Sequence, residues 1–296
     1  MQEETINQTL YQELYIAIQE ISEKIYINFT NTFNSMILIA GEEITRPVEE
    51  WNEGAFQIVE RVADQVLLPI GAIFLLATLI FRLIHIFGDS NGFLITNNMQ
   101  KAVLLGKFIL LLYAWENSFD IMNGVLSIGL QAGSRISRIF RNDLVISAEE
   151  QFQNILPRTQ DIYDWGILID AVGILICLIL AYVVVMIFAF TIYYTVIIWF
   201  IETLVYLASS PLALSFFPLD DTQDITKNYV KKIFAMGFRP FFIMLIFMIY
   251  GASLPIFLQG DSGLMILINV CAVSGVLYLL LQKTGTISNQ IFNVTN

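Results

Sequence analysis

Five polar residues, Glu116, Asp120, Asn123, Ser127 and Gln131, recur at spacings of four, three, four and four. At 3.6 residues per turn, these positions share one face of a helix. The other face holds Ile121, Met122, Val125, Leu126 and Ile128. Two carboxylates, two amides and a hydroxyl make neither a nucleophile–base pair nor a metal-ligand set; such a stripe holds water. It fits the lining of an aqueous passage or a seam between subunits. It equally fits the wet side of a helix lying at the outer membrane surface, and the spacing leaves both readings open.

Isolated charges beside apolar runs are the next residues able to do work, because a charge at membrane depth is costly and has a partner or faces water. Asp170 lies one turn into the run that begins at Gly166, at an interfacial level or at a functional position. Glu202 lies 36 residues past Gly166, beyond the reach of the hydrocarbon. Lys231, Lys232 or Arg239 can pair with it there as a structural anchor. Gly129 and Gly133 form a small-xxx-small pair that permits close helix packing. His85 has no Cys, His or carboxylate at ligand spacing, so no metal site is expected. Cys177 and Cys271 both sit in apolar runs and are expected to be unpaired small hydrophobes. No Gly-rich phosphate loop, HExxH or nucleophile–His pair is present. The chain is therefore expected to have no catalytic residues and no cofactor, and not to be an enzyme.

The elements that position these residues follow from composition. Apolar residues make up 56% of the chain, charged residues 14%, and mean hydropathy is +0.69, the profile of an all-α polytopic membrane protein. No basic region precedes an early apolar run, so no secretory signal is expected. Residues 1–64 hold twelve Asp or Glu against Lys24, Arg46 and Arg61, whereas Arg82, Lys101 and Lys107 surround the turn after the first apolar run. Lys and Arg near span ends favour the cytoplasmic side. A second basic group, Lys227, Lys231, Lys232 and Arg239, flanks a later span and is expected inside as well.

About five transmembrane helices are predicted in the cytoplasmic membrane, with the N-terminus outside and the C-terminus inside. They cover about 66–87, 102–130, 166–208, 239–257 and 264–281 within a membrane domain at 65–282. The run 174–209 has neither Gly nor Pro. As one helix, the third segment would be about 60 Å long, twice the hydrocarbon thickness. A single crossing that emerges inside, its cytoplasmic half buried against other subunits, is preferred over a hairpin, which would carry Lys227 to Lys232 outside. Residues 1–64 form an acidic amphipathic helical region outside. Its apolar face is predicted to be Leu10, Leu14, Ile18, Ile21 and Ile25, opposite Glu13, Glu20 and Glu23. A second helix starts near Thr45-Arg46-Pro47, with Trp51, Ile58 and Val62 as its apolar side. An outer loop at 135–165, carrying Arg135, Arg138, Arg141, Glu149, Glu150, Asp161 and Asp164, an inner segment at 209–238 and a cytoplasmic tail at 283–296 complete the plan.

The inner segment is the most distinctive. The long apolar helix should stop at Ser209, Ser210 and Pro211, because proline removes a backbone donor and disfavours helix at the residue before it. Phe216-Phe217, the acidic turn Asp220-Asp221, and Lys227-Asn228-Tyr229-Val230-Lys231-Lys232 follow, then Ile233-Phe234-Ala235-Met236-Gly237-Phe238 opens an apolar span. This order resembles the core signature of the TrbL-like family, the polytopic inner-membrane channel component of conjugative type IV secretion systems, especially its Gram-positive members. About 43 residues carry the similarity closely, with compatible span order over roughly 66–282. The resemblance implies a membrane-embedded subunit, itself no enzyme, that helps move DNA or a DNA–protein complex out of a donor cell. It implies other secretion subunits as partners, including cytoplasmic ATPases, and a homo-oligomeric assembly in membrane lipid with transient contact to the transported DNA. A net charge of −11 agrees, since a passage for a polyanion should not hold it tightly.

Two other classes fit the composition. A stand-alone transporter would show inverted repeats and a midplane polar site among broken helices, whereas this sequence has no internal repeat and one clear break, at Pro211. An accessory scaffold would hold other membrane subunits together without lining any path.

Overall fold

The computed structural model describes residues 2–88, 98–140, 165–218, 222–257 and 263–294. Among these, nearly all are helical and none is in a strand. The helices are α1 (Gln2–Thr45), α2 (Val48–Trp51), α3 (Glu53–Val62), α4 (Leu68–Gly88), α5 (Asn98–Glu116), α6 (Ser118–Phe140), α7 (Trp165–Ala208), α8 (Ser210–Leu214), α9 (Gln223–Phe257) and α10 (Gly263–Ile291). Most of the outer loop, with Arg141, Glu149, Glu150, Asp161 and Asp164, lies outside the described residues, as do Asp220, Asp221 and most of the turn from Gln259 to Gly263.

Three helices among the described residues are long and apolar enough to cross a membrane, within Glu53–Arg82, Gly166–Ala208 and Gln223–Tyr250. The first begins earlier than the sequence suggests. α3 and α4 are joined by a wide π-helical turn, Ala63–Leu67, in which the Leu68 N–H reaches back to the Ala63 carbonyl. One residue later comes Pro69, whose ring cannot pack against the carbonyl of a regular turn, and the wider turn makes room for it. The third segment is one 44-residue helix without a hairpin, as expected. Its hydroxyls bond within the helix: Thr191 donates to the Ile187 carbonyl (2.8 Å), Thr195 to Thr191 (2.8 Å) and Thr203 to Trp199 (2.8 Å).

The segment expected as one span over 102–130 is two helices meeting at Asn117. Backbone bonds of the i to i−4 type still run through the junction, from Asn117 to Tyr113 (3.1 Å) and from Ile121 to Asn117 (3.0 Å). The Asn117 side chain donates a second bond to the Tyr113 carbonyl (2.8 Å). Such side-chain competition for a carbonyl bends a helix without ending it. The tail is also structured, since α10 runs on to Ile291.

The chain divides into two compact units. The first comprises Met1–Glu43, Ile136–Val196 and Ile243–Lys283. In it, α1 buries Tyr15, Ile18, Ser22, Tyr26 and Phe29, while Leu10, Leu14 and Ile21 are exposed. The true apolar face is thus rotated from the stripe read in the sequence, because aromatic residues fill the packing space that the aliphatic stripe left out of account. Phe29 meets Tyr182 of α7 edge-on, with centroids 6.3 Å apart. The packed stripe of α7 in this unit is Leu178, Ala181, Val185, Ala189 and Ile192 at helical spacing, in which the small Ala181 and Ala189 let backbones approach. Phe188 stacks on Tyr278 of α10 (5.6 Å), and the Tyr250 hydroxyl lies 3.4 Å from Ser274 Oγ.

The second unit comprises Ile44–Arg135, Ile197–Phe242 and Thr284–Asn296. Pro47 ends α1, since the residue before a proline is pushed out of the helical region. Asn52 then caps α3 by accepting from the Ala55 N–H (3.0 Å). Of the three apolar residues expected here, Trp51 packs, lying flat on Phe200 with centroids 4.3 Å apart. Ile58 and Val62 are exposed.

Candidate functional site

The break lies where the sequence put it. α7 stops at Ala208, Ser209 forms the junction, and Pro211 occupies the first turn of α8, a position where its missing N–H costs little. Breaking a helix among apolar neighbours leaves its carbonyls short of regular intrahelical donors, and side chains from outside the helix complete them. Three helices supply the donors. Trp115 Nε1 of α5 donates to the Pro211 carbonyl (3.0 Å). Thr226 Oγ1 of α9 donates to Ala213 (2.7 Å), and Thr78 Oγ1 of α4 to Ser215 (3.2 Å). Arg82 of α4 donates to the Pro218 carbonyl, and the Tyr229 hydroxyl of α9 to that of Tyr206 in α7. Gly71 of α4 lies against the break itself, where an added Cβ would stand 2.9 Å from the Pro211 oxygen. Ser209, Ser210, Pro211 and Tyr229 were visible in the sequence. Thr78, Trp115 and Thr226 were not, because single hydroxyls and one indole in apolar helices carry no signal until the carbonyls they serve are located.

Beside the break, α6 crosses α9 at the small-residue pair. Gly129 faces Gly237 so closely that a Cβ on it would land on the Gly237 carbonyl carbon. A Cβ on Gly237 would stand 2.8 Å from the Leu126 oxygen, and one on Gly133 3.3 Å from the Phe241 nitrogen. This crossing orients α6: Phe119, Met122, Leu126 and Leu130 turn inward and are buried. Of the apolar residues expected on that side, Ile121 and Ile128 are instead exposed. The polar stripe faces away, with Glu116, Asp120 and Gln131 exposed and Asn123 and Ser127 half-buried. Ser127 Oγ donates to its own helix at the Gly124 carbonyl (2.8 Å).

The third feature is a charged junction of α7, α9 and α10. Glu202 lies 3.9 Å from Lys232 Nζ and 3.6 Å from Arg239 Nη1, the pairing anticipated for it. Lys232 Nζ also donates to Asn289 Oδ1 (3.3 Å), and Arg239 Nε to Thr284 Oγ1 (3.3 Å). The end of α10 clamps on the same stretch of α9. Ser288 Oγ donates to the Ala235 carbonyl (2.5 Å), Lys231 Nζ reaches the Asn293 carbonyl (3.4 Å), and Phe292 packs on Phe234 and Phe238. Lys231 is thereby a cation at a helix C-terminus, where the macrodipole favours it. Lys227 pairs with Asp224 at the surface (3.3 Å), Asn228 is half-buried, and Asp170 is exposed in α7 away from this cluster.

Break, crossing and junction together make a rigid frame that leaves one polar helix face open. No group of three or more His, Cys, Asp or Glu able to hold a metal occurs among the described residues. A family model described as TrbL/VirB6 plasmid conjugal transfer like protein matches residues 33–211, more than half of the chain. The chain belongs to that family. It is accordingly a membrane component of a conjugal transfer system, with other subunits of that system as its partners. TrbL/VirB6-like proteins are structural conjugation components, not an enzyme family. The match starts within α1 at residue 33 and ends on Pro211, so it takes in Ser209, Ser210 and Pro211 of the break but not residues 212–251, the remainder of the segment that carries the resemblance. No curated protein and no solved structure matches the chain.

Proposed function

We propose that this TrbL/VirB6-like chain is a channel-forming or path-scaffolding subunit of a conjugative type IV secretion system of the Gram-positive kind. It helps move DNA or a DNA–protein complex out of the donor, acts as a homo-oligomer, and takes its energy from partner ATPases at the cytoplasmic face. The observation that carries this reading is the polar stripe of α6. Its inner edge is fixed by the Gly129–Gly237 crossing while Glu116, Asp120 and Gln131 stay exposed, so the helix presents water-holding groups to whatever lies beside the subunit. Acidic groups repel a polyanion and keep its transit free of tight binding. Replacing Glu116 by Gln and Asp120 by Asn together should lower DNA transfer while leaving protein level unchanged. Cysteines at Asp120 and Gln131 should change reactivity toward a small hydrophilic thiol reagent when the ATPase partner is removed. Unchanged transfer together with unchanged reactivity would leave only a surface helix.

The same reading has five crossings, with 1–64 and 135–165 outside and 209–238 and 283–296 inside, supported by the Lys and Arg distribution. Single cysteines at exposed Glu49, Asp224 and Gln290, in a background lacking Cys177 and Cys271, test it. With an impermeant reagent on intact cells, Glu49→Cys should label and the other two should not. Labelling of Asp224→Cys from outside refutes the single-crossing α7.

A further inference from the structure

The charged junction is not balanced. One carboxylate, Glu202, faces two cations, Lys232 and Arg239, at 3.9 and 3.6 Å. Charge-assisted hydrogen bonds run about 2.7–2.9 Å, so Glu202 offsets charge without using the donors. Arg239 carries five N–H groups in a planar fork. Among the described residues one of them is spent, on Thr284. The guanidinium is nevertheless recessed, with its side chain 14% exposed, and that of Lys232 is 19% exposed. Lys232 is further held over the Tyr206 ring, 5.6 Å from its centroid. Gly285 packs against one side of the guanidinium, where a single added carbon would stand 3.4 Å from Arg239 Cζ. The remaining cations of this stretch are occupied at the surface: Lys227 by Asp224 and Lys231 by the Asn293 carbonyl.

A recessed pair of cations with spare donors and one carboxylate between them calls for a compact oxyanion with several acceptor oxygens. The pair also sits where α9 passes from its polar first turns into the apolar run after Arg239, the level of a headgroup at the membrane surface. We infer that Arg239 and Lys232 form a binding site for the phosphate headgroup of an anionic phospholipid. A nucleic acid backbone suits the site less well, since it presents its phosphates in a row and needs an open basic face, whereas these two cations are reachable by a single group. The assignment of this headgroup to the inner leaflet rests on the sidedness proposed above; the chemistry of the site does not.

The test uses the full chain in neutral detergent, with phosphatidylglycerol or phosphatidylcholine added and bound lipid read by native mass spectrometry. Two cations near a membrane surface are worth about a 30-fold preference for the anionic lipid. The wild-type chain should show it, and Arg239→Gln with Lys232→Gln should abolish it. Lys232→Gln alone leaves Arg239 paired with Glu202 and bonded to Thr284, so it should cut the preference to about 5-fold with the helical content and elution volume of the wild type. Lys227→Gln should keep the preference. Equal retention of both lipids by the wild type, or an undiminished preference in both the double variant and Lys232→Gln, overturns the site. Displacement of the lipid by millimolar inorganic phosphate or by a short single-stranded oligonucleotide overturns the headgroup as its ligand. Lipid retention is measured without transfer, so failure of the α6 stripe variants in conjugation leaves this result standing, and the reverse holds equally.

Discussion

Gly129→Ala should leave almost no folded protein, whereas Gly124→Ala, five residues away on the same helix, should be at least as stable as the wild type. At Gly124 an added carbon meets nothing within 4 Å, so removing the glycine's conformational freedom stabilises the helix by roughly 0.5–1 kcal/mol. At Gly129 the same carbon would land on the backbone of Gly237. A flexible side chain can move aside, but here two helix backbones must separate. That opens the interface holding Leu126 and Leu130 and costs more than the roughly 1–3 kcal/mol of ordinary overpacking. Against a total stability of about 5–15 kcal/mol this is a large share. Thermal unfolding in detergent, followed by the fraction eluting as a monodisperse peak, compares the two variants. Gly237→Ala should behave like Gly129→Ala, since its Cβ would stand 2.8 Å from the Leu126 oxygen. Equal survival of Gly124→Ala and Gly129→Ala would show that the crossing is looser than described.

Pro211→Ala should insert normally, accumulate normally and transfer DNA poorly. Alanine restores an N–H that lets α7 run on through Ser210 toward Phe217. The straightened helix then draws the Ala213 and Ser215 carbonyls into its own ladder and away from Thr226 and Thr78, and turns the Pro211 carbonyl, which the Ser215 N–H already meets at 3.2 Å, away from Trp115. Three such bonds at about 1 kcal/mol each hold the break in place. Their loss redirects the chain entering α9, and the two residues that pair with Glu202 lie on that helix. Trp115→Phe keeps the break and removes one of the three donors, so its transfer should fall by less. Transfer frequency, with membrane-fraction level as control, reads both variants. Normal transfer by well-expressed Pro211→Ala would make the break incidental.

Much of this frame is written locally and was legible in the sequence. The unbroken 174–209 run gives one helix because nothing in it can form a turn. Ser209-Ser210-Pro211 ends that helix because proline cannot donate. Gly129 and Gly133 mark a close crossing because small residues four apart let two backbones approach. The pairing of Glu202 was legible because the nearby segment offers cations, of which Lys232 and Arg239 meet it. What escaped depends on neighbours remote in the chain. Tyr15, Tyr26 and Phe29 define the packed face of α1 against partners that the aliphatic periodicity of Leu10, Leu14 and Ile21 does not reveal. Trp115 and Thr226 matter only because a carbonyl 96 or 13 positions away is left open. The end of α10 looked like a tail because its polarity rises after Leu281. Yet Thr284 and Ser288 are buried by what they bond to on α9, which polarity along one segment does not register.

The hydroxyls of Thr191, Thr195 and Thr203 all donate to carbonyls of their own helix, which sets the terms on which α7 meets its surroundings. It asks no neighbour for a hydrogen bond on their account. Its exposed positions include the apolar Val183, Ile187, Phe190, Ile201 and Val205. In lipid, such a surface gains nothing from the hydrophobic effect when it exchanges an acyl chain for a protein face; only packing separates the two states. Contacts at those positions are therefore easily made and easily released, so neighbours can be swapped there without disturbing the bonded frame around the break.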